Sequence, residues 1–157
     1  NDKAADSTNI IVHGISMGAA TTMMVSGDSL PENVRCFVED CGYTSVYDEF
    51  KGELKNQFGL PAFPLMPCTS ALNKLLNGWS FAEASALEQV KKCKRPMLFI
   101  HGDSDTFVPT YMVKDVYEAK PEPKELWITK GVEHDMSYET YPEEYTAKIK
   151  AFCKKYM

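Results

Sequence analysis

The sequence predicts an α/β fold: a parallel sheet of about four strands with flanking helices. Two observations support this prediction. Four short apolar runs alternate along the chain with segments of helical periodicity, which is the order that crossovers between parallel strands require. In addition, Ser16, Asp105 and His134 each follow the carboxyl end of a different predicted strand. Functional side chains collect at that edge of a parallel sheet, so the second observation agrees with the first.

The first predicted strand is the apolar run over residues 9–13, and a predicted helix over residues 19–25 follows it. The turn between them, residues 14–18, is a Gly-x-Ser-x-Gly motif with Ser16 at its centre. A strand-to-helix turn is the context in which this motif presents a nucleophilic serine. We expect Gly14 and Gly18 to remove side chains that would collide with the strand and the helix.

The middle of the chain is predicted to leave the sheet and return to it. Residues 59–67 contain three prolines and cannot be regular structure throughout. Ser45 or Thr44 is expected to cap the helix before them, and Ser80 a helix after them. We interpret the segment of about 45–90 as a short helical lid over one face of the sheet. A strand over 34–39 is predicted before this segment. Within it, helices are predicted over 45–58, 69–77 and 81–91.

The last third of the chain returns to alternating strands and helices. The fourth strand is more amphipathic than the others, which is typical of a sheet edge. In the final helix, Tyr145, Ile149 and Phe152 share one face. The predicted elements are strands over 96–101 and 124–129 and helices over 110–119 and 141–156.

The composition of the chain excludes several classes of function. A length of 157 residues fits one domain, 1–157. The net charge of −5 is spread without basic runs, which argues against nucleic-acid binding, and we predict no membrane span in this chain. The five cysteines form no CxxC pair, and the three histidines stand apart without metal-ligand spacing. We therefore predict no metal site and no cofactor.

A serine hydroxyl becomes an effective nucleophile when a base removes its proton and a carboxylate orients that base. The predicted base is His134, which follows the last strand in a glycine-containing loop. His13 and His101 end strands directly before a glycine, and we interpret both as buried, hydrogen-bonded residues.

Three carboxylates compete for the role of orienting His134. Asp103 and Asp105 follow the third strand, and Asp40 follows the second. Asp103 suits a different task, because an aspartate in a turn often braces its loop by accepting backbone N–H groups. Asp40 is the weakest of the three candidates.

The order Ser16, Asp105, His134 is that of the α/β-hydrolases. Residues 14–19, 101–109 and 131–135 resemble the nucleophile, acid and histidine motifs of this family, and residues 40–45 and 81–85 resemble segments between them. The similarity is greatest to bacterial serine hydrolases of the serine aminopeptidase, prolyl-oligopeptidase-like and related lineages. It implies that Asp105 is the triad acid and that the backbone N–H of Met17 is an oxyanion donor.

The resemblance also implies that part of the domain is missing. An α/β-hydrolase typically has eight strands, and this chain resembles the portion from the fifth strand onward. It begins without an initiator methionine or a signal segment, so we interpret its start as truncated and predict no compartment. The first strand is central in the family. We therefore expect its edge to be covered by the missing N-terminal half or by a second copy.

The implied activity is that of a serine hydrolase acting through an acyl-enzyme. We expect a carboxylesterase for small or medium acyl or aryl esters, with a peptidase or thioesterase as the enzymatic alternative. A hydrolase fold used only for binding is the non-catalytic alternative. Tyr43, Phe107 and Val108 are the predicted substrate-binding residues, and their apolar character favours an uncharged acyl or aryl group of a small-molecule ester or peptide-like substrate.

Overall fold

A computed structural model describes residues 8–157, in which four strands alternate with helices. The elements in chain order are β1 (Ile10–Ile15), α1 (Met17–Ser26), β2 (Val34–Asp40), α2 (Val46–Phe58), α3 (Ala62–Asn77), α4 (Ala86–Val90), β3 (Met97–Gly102), α5 (Tyr111–Ala119), β4 (Lys124–Thr129), α6 (Ser137–Thr140) and α7 (Pro142–Tyr156).

The strands form one parallel sheet in the order β1-β2-β3-β4, which confirms the predicted fold class. Ile15 pairs with Asp40, Asp40 with Ile100, and Ile100 with Trp127, so the carboxyl ends of all four strands lie at one edge. The loops after β1, β3 and β4 therefore meet there. This alignment positions the candidate site.

Both faces of the sheet are covered by helices. Alternate side chains of a strand point to opposite faces. On one face, Phe37 and Phe99 belong to a buried cluster with residues of α1, α4 and α5. On the other face, Val38 and Ile100 pack against Tyr145 and other residues of α7. β2 and β3 thus carry the core, and α7 presents the apolar face that its sequence predicts.

β1 has an edge without a partner strand in the described residues, as the resemblance to α/β-hydrolases implies. Within residues 8–157 it pairs with β2 alone, so it is an edge strand, as β4 is on the opposite side. Ile10 is 38% and Ile15 is 41% exposed, and His13 is exposed as well. The interpretation of His13 as buried is therefore wrong. The side chain is nevertheless hydrogen-bonded, because His13 Nε2 lies 3.0 Å from the Tyr145 hydroxyl.

The segment between β2 and β3 is helical, but two of its boundaries differ from the prediction. α3 begins at Ala62 and is interrupted at Phe63, whose φ of −94° and ψ of 133° are not helical. A proline is tolerated at a helix start, so Pro64 can begin the continuing helix directly after this break. Of the predicted helix over 81–91, only Ala86–Val90 is helical. This is α4, which is capped by Ser85 rather than by Ser80.

None of the helices within residues 8–157 combines the length and the apolar character that crossing a membrane requires.

Candidate active site

Ser16 occupies a strained turn between β1 and α1. Its φ of 54° and ψ of −117° lie in a backbone region that residues with a side chain rarely adopt. A Cβ atom at Gly14 would lie 2.1 Å from the carbonyl oxygen of Gly18, so position 14 requires glycine. The prediction for Gly18 is wrong, because the described chain leaves open space around a Cβ atom there.

The structure brings the three predicted triad residues together. Ser16 Oγ lies 2.8 Å from His134 Nε2, and His134 Nδ1 lies 2.7 Å from Asp105 Oδ2. An ionised carboxylate only accepts hydrogen bonds, so Nδ1 carries the proton and Nε2 accepts from the serine hydroxyl. The arrangement places a base next to the hydroxyl and an anion behind the base.

The electrostatics keep Asp105 ionised. Burial favours its neutral form, but hydrogen bonds from His101, His134 and the backbone N–H of Val108 outweigh burial and lower the pKa of Asp105 to about 2. Burial likewise disfavours the charged form of His134. The hydrogen bond and charge of Asp105, with the charges of Asp135 and Glu49, outweigh it and raise the pKa of His134. The site therefore favours the imidazolium that forms when His134 takes a proton.

Asp105 is fixed from both sides. Its Oδ1 accepts from the backbone N–H groups of Phe107 and Val108, at 3.0 and 2.8 Å. His101 Nε2 lies 3.4 Å from Oδ2 and 2.8 Å from the carbonyl oxygen of Val108, and its side chain is fully buried, as predicted. Asp103 instead accepts from the Gly131 backbone N–H at 2.6 Å, so it braces the loop as its position predicts.

Asp40, the weakest carboxylate candidate, faces other partners. Its Oδ1 lies 3.4 Å from Ser137 Oγ. Burial raises the pKa of Asp40 to about 6, although the hydrogen bonds and the charge of His101 oppose that rise. The side chain belongs to a buried network beneath the strand ends.

The predicted substrate-binding residues divide into exposed and buried ones. Phe107 is 42% exposed, and its ring centroid lies 4.8 Å from that of His134, so it borders the candidate base. Tyr43 is 9% exposed and packs against Val108. Val108 is fully buried, which contradicts its prediction as a substrate contact. Its backbone serves the site instead, through the hydrogen bond to Asp105.

Met17, the predicted oxyanion residue, is the first residue of α1. The first backbone N–H groups of a helix have no partner within the helix and carry its positive partial charge. The Met17 side chain is 71% exposed, so only its backbone would serve the predicted role. Ser16 stands at the N-cap position but makes no side-chain cap, since its Oγ faces His134.

Sequence reasoning did not single out two residues, one of which lies near the candidate triad while the other influences it by its charge. Cys41 offers its sulfur atom within 4.8 Å of ligand atoms of Asp105 and His134. A thiol binds a metal as the thiolate, and burial raises the pKa of Cys41 far above its usual value, so this group is poorly suited to a metal ion. The second residue is Glu49, only 6% exposed, although an acidic residue in a first helical turn is normally a surface feature.

Comparison with known protein families matches residues 1–157 to the prolyl oligopeptidase family. The chain belongs to this family. The match covers the whole sequence and confirms the resemblance to α/β-hydrolases.

The chain is also similar to individual proteins. The uncharacterized protein YqkD of Bacillus subtilis is 31% identical over 141 residues, which are 90% of this chain and 46% of YqkD. An esterase of Pyrococcus furiosus, Pf2001, is 25% identical with a TM-score of 0.72, over 99% of this chain and 56% of the esterase. The chain thus spans about half the length of these proteins, and its sheet corresponds to the C-terminal portion of the fold.

A third structure shows likeness of fold alone. The acylaminoacyl peptidase of Pyrococcus horikoshii is 20% identical with a TM-score of 0.68, over 98% of this chain and 24% of the peptidase.

Proposed function

We propose that this chain supplies the catalytic residues of a serine hydrolase, with Ser16 as nucleophile, His134 as base and Asp105 as the residue that orients the base. The observation that carries the proposal is the continuous set of contacts from Ser16 Oγ through both ring nitrogens of His134 to Asp105. Membership of the prolyl oligopeptidase family supports it.

The contacts suit an acyl-enzyme mechanism. Ser16 Oγ attacks the substrate carbonyl carbon while its proton moves to His134 Nε2, and the carbonyl oxygen becomes an oxyanion facing the Met17 N–H. The intermediate then breaks its bond to the leaving group, which takes the proton from His134. Water attacks the acyl-enzyme in the same way, its proton passing to His134, and Ser16 is regenerated.

Esters of small or medium acyl or aryl groups are the proposed substrates. The exposed ring of Phe107 next to His134 supports an apolar group close to the scissile bond. Pf2001, at 25% identity, is described as an esterase. A peptidase is the second candidate because of the family to which the chain belongs, and hydrolysis of peptide anilides compared with aryl esters separates the two.

The first test is covalent labelling with a fluorophosphonate, followed by mapping of the adduct by mass spectrometry. We expect the label on Ser16, with no adduct in Ser16→Ala and strongly reduced labelling in His134→Ala. Ser29→Ala, which removes an exposed serine between α1 and β2, is the matched control and should label normally. A folded chain that does not label at Ser16 would favour the alternative of a binding module.

A further inference from the structure

His134 is carried by a loop, residues 130–136, that joins β4 to α6. Its two ring nitrogens meet Ser16, which follows β1, and Asp105, which follows β3. A base that contacts two groups at once needs a loop with fixed ends, because a misplacement of about 1 Å can cost about a hundredfold in rate. The contacts that fix this loop therefore bear on catalysis.

The first half of the loop is tied to the loop that follows β3. The Gly131 N–H donates to Asp103 Oδ1 at 2.6 Å, and the Ser104 N–H donates to the carbonyl oxygen of Val132 at 3.0 Å. These bonds hold the path of the chain directly after β4.

The second half of the loop, which carries His134, has less support. The Met136 N–H donates to the carbonyl oxygen of Glu133, which lies within the loop itself. Asp135 has a φ of 62°, a left-handed conformation that a residue with a side chain keeps only when the structure around it determines it. Glu133, Asp135 and Met136 are exposed. The restraint on this half is therefore supplied at its end, where α6 begins.

Two buried hydroxyl groups close the base of the loop. Thr129 Oγ1 lies 3.2 Å from Ser137 Oγ, so the last residue of β4 is joined to the first residue of α6. Each of the two residues is 1% exposed, so bulk water does not compete for this bond. The Thr129 hydroxyl also donates to the carbonyl oxygen of His101 in β3, at 3.1 Å.

The protons of these hydroxyl groups set the direction of the bonds. A carbonyl oxygen only accepts, so the single hydroxyl proton of Thr129 goes to His101, and Ser137 is the donor to Thr129. The other neighbour of Ser137 Oγ is more distant, since Asp40 Oδ1 lies 3.4 Å away. The bonds thus run from α6 through β4 to β3 and hold both ends of the loop against the core of the sheet.

We propose that Thr129 and Ser137 are positioning residues, which keep His134 in contact with Ser16 and Asp105 by closing the base of its loop. The expected effect on rate rests on the proposed function, whereas the effect on the placement of His134 does not. Both hydroxyl groups are buried, so they act through His134 rather than on the substrate.

NMR titration of His134 tests the positioning without turnover. The contact with Asp105 raises the pKa of His134, so a loosened loop should lower that pKa. We expect a lower pKa in Thr129→Val and in Ser137→Ala, and the wild-type value in Thr129→Ser, which retains a hydroxyl. An unchanged pKa of His134 in Thr129→Val or Ser137→Ala at intact fold would overturn the proposal.

Thr110→Val is the matched control. The Thr110 hydroxyl donates to the carbonyl oxygen of Gly102 at 2.9 Å, so it also bonds the end of β3, but it lies before α5 and outside the loop of His134. Its removal should leave the pKa of His134 unchanged. Equal effects of Thr110→Val and Thr129→Val would indicate a general loosening of β3 and reject the proposal. So would failure of both Thr129→Val and Ser137→Ala to fold where Thr110→Val folds, since the bond would then serve stability alone.

Kinetics with an aryl ester separate this inference from the proposed function. We expect kcat to fall about tenfold to a hundredfold in Thr129→Val and in Ser137→Ala, with KM little changed. The double variant should lose about as much as either single variant, because both substitutions remove one shared bond. Additive losses, or an unchanged kcat, would contradict the proposal. A wild-type chain that neither hydrolyses the ester nor labels at Ser16, but in which both substitutions lower the pKa of His134, would retain the positioning and reject the hydrolase.

Discussion

At the scale of single residues, the candidate site depends on the state of its titratable groups. Asp105 accepts from two backbone N–H groups and from His134, and these bonds hold it ionised against the effect of burial. An ionised carboxylate at this place fixes the tautomer of His134 that leaves Nε2 free to accept the serine proton.

Replacing Asp105 with Asn tests that assignment. The amide favours the wrong tautomer of His134, so we expect ester hydrolysis to fall by about 10³–10⁴-fold while the fold persists. The measurement is kcat/KM for an aryl ester, with circular dichroism as the check on folding. Asp103→Asn is the comparison, since Asp103 contacts the Gly131 backbone rather than His134. A similar loss of kcat/KM in Asp103→Asn at intact fold would contradict the division of roles.

The raised pKa of Glu49 predicts that the stability of the fold depends on pH. Burial raises its pKa from 4.5 to about 7, so between these values the folded chain binds more protons than the unfolded chain. The free energy of unfolding therefore decreases as pH rises through this window, by about 3 kcal/mol at most.

Glu49→Gln removes this proton uptake. Urea denaturation should show the variant more stable than wild type at pH 8, with the difference disappearing near pH 4. A constant difference across this range would mean that Glu49 titrates normally in the folded chain.

The sequence predicts the triad better than its surroundings, for a physical reason. Ser16, Asp105 and His134 follow strands that can be recognised locally, and parallel strands bring their carboxyl ends together. The burial of Glu49 depends on how α2 packs against the loop after β3, and no local pattern encodes that packing. The burial of Val108 and the exposure of His13 have the same origin in tertiary contacts.

At the scale of elements, the turn from β1 to α1 treats its two glycines differently. Gly14 faces the carbonyl of Gly18 too closely for any side chain, whereas Gly18 has open space within the described chain. Of the two glycines in the motif, only Gly14 is therefore required for steric reasons, whereas position 18 can accept a side chain.

The paired variants Gly14→Ala and Gly18→Ala measure this difference. We expect Gly14→Ala to lose several kcal/mol of stability or to fail to fold, since the clash is with backbone. Gly18→Ala should be neutral or stabilise α1 by up to about 1 kcal/mol, because alanine favours a helix. Thermal and urea denaturation of both chains give the comparison. Equal destabilisation by both would show that position 18 is crowded as well.

The helices between β2 and β3 show how far capping residues in the sequence locate the start of a helix. Ser45 caps α2 through the Asp48 N–H, as the sequence predicts. Ser80 instead hydrogen-bonds Glu83, and Ser85 begins the shorter helix. A serine followed three residues later by an acidic residue occurs at both positions, and only tertiary packing selects between them.

At the scale of the whole molecule, β1 exposes an apolar edge. Ile10, Ile11 and Ile15 are 38%, 36% and 41% exposed along a strand that has one neighbour in the described residues. Unpaired edges of this kind are templates for another strand. We therefore propose that the remainder of a longer domain, or a second copy of this chain, pairs there.

This proposal predicts self-association of the isolated chain. Light scattering should show species larger than 17.7 kDa at micromolar concentration, and Ile11→Lys should reduce them, because a charged edge opposes strand pairing. Leu75→Lys, which places the same charge at an 81% exposed leucine of α3, is the control. A monomeric wild-type chain, or equal effects of both variants, would contradict pairing at β1.

The position of Ser16 directly after β1 affects how the site responds to heating and how fast its backbone amides exchange with deuterium. In the described residues, Ser16 follows a strand whose backbone hydrogen bonds run to one neighbour, whereas Asp105 follows β3, which is held on both sides. Local opening starts where such support is weakest. Backbone amides of β1 should then exchange with deuterium faster than those of β3, and warming should disconnect the serine from its base while most of the sheet remains intact.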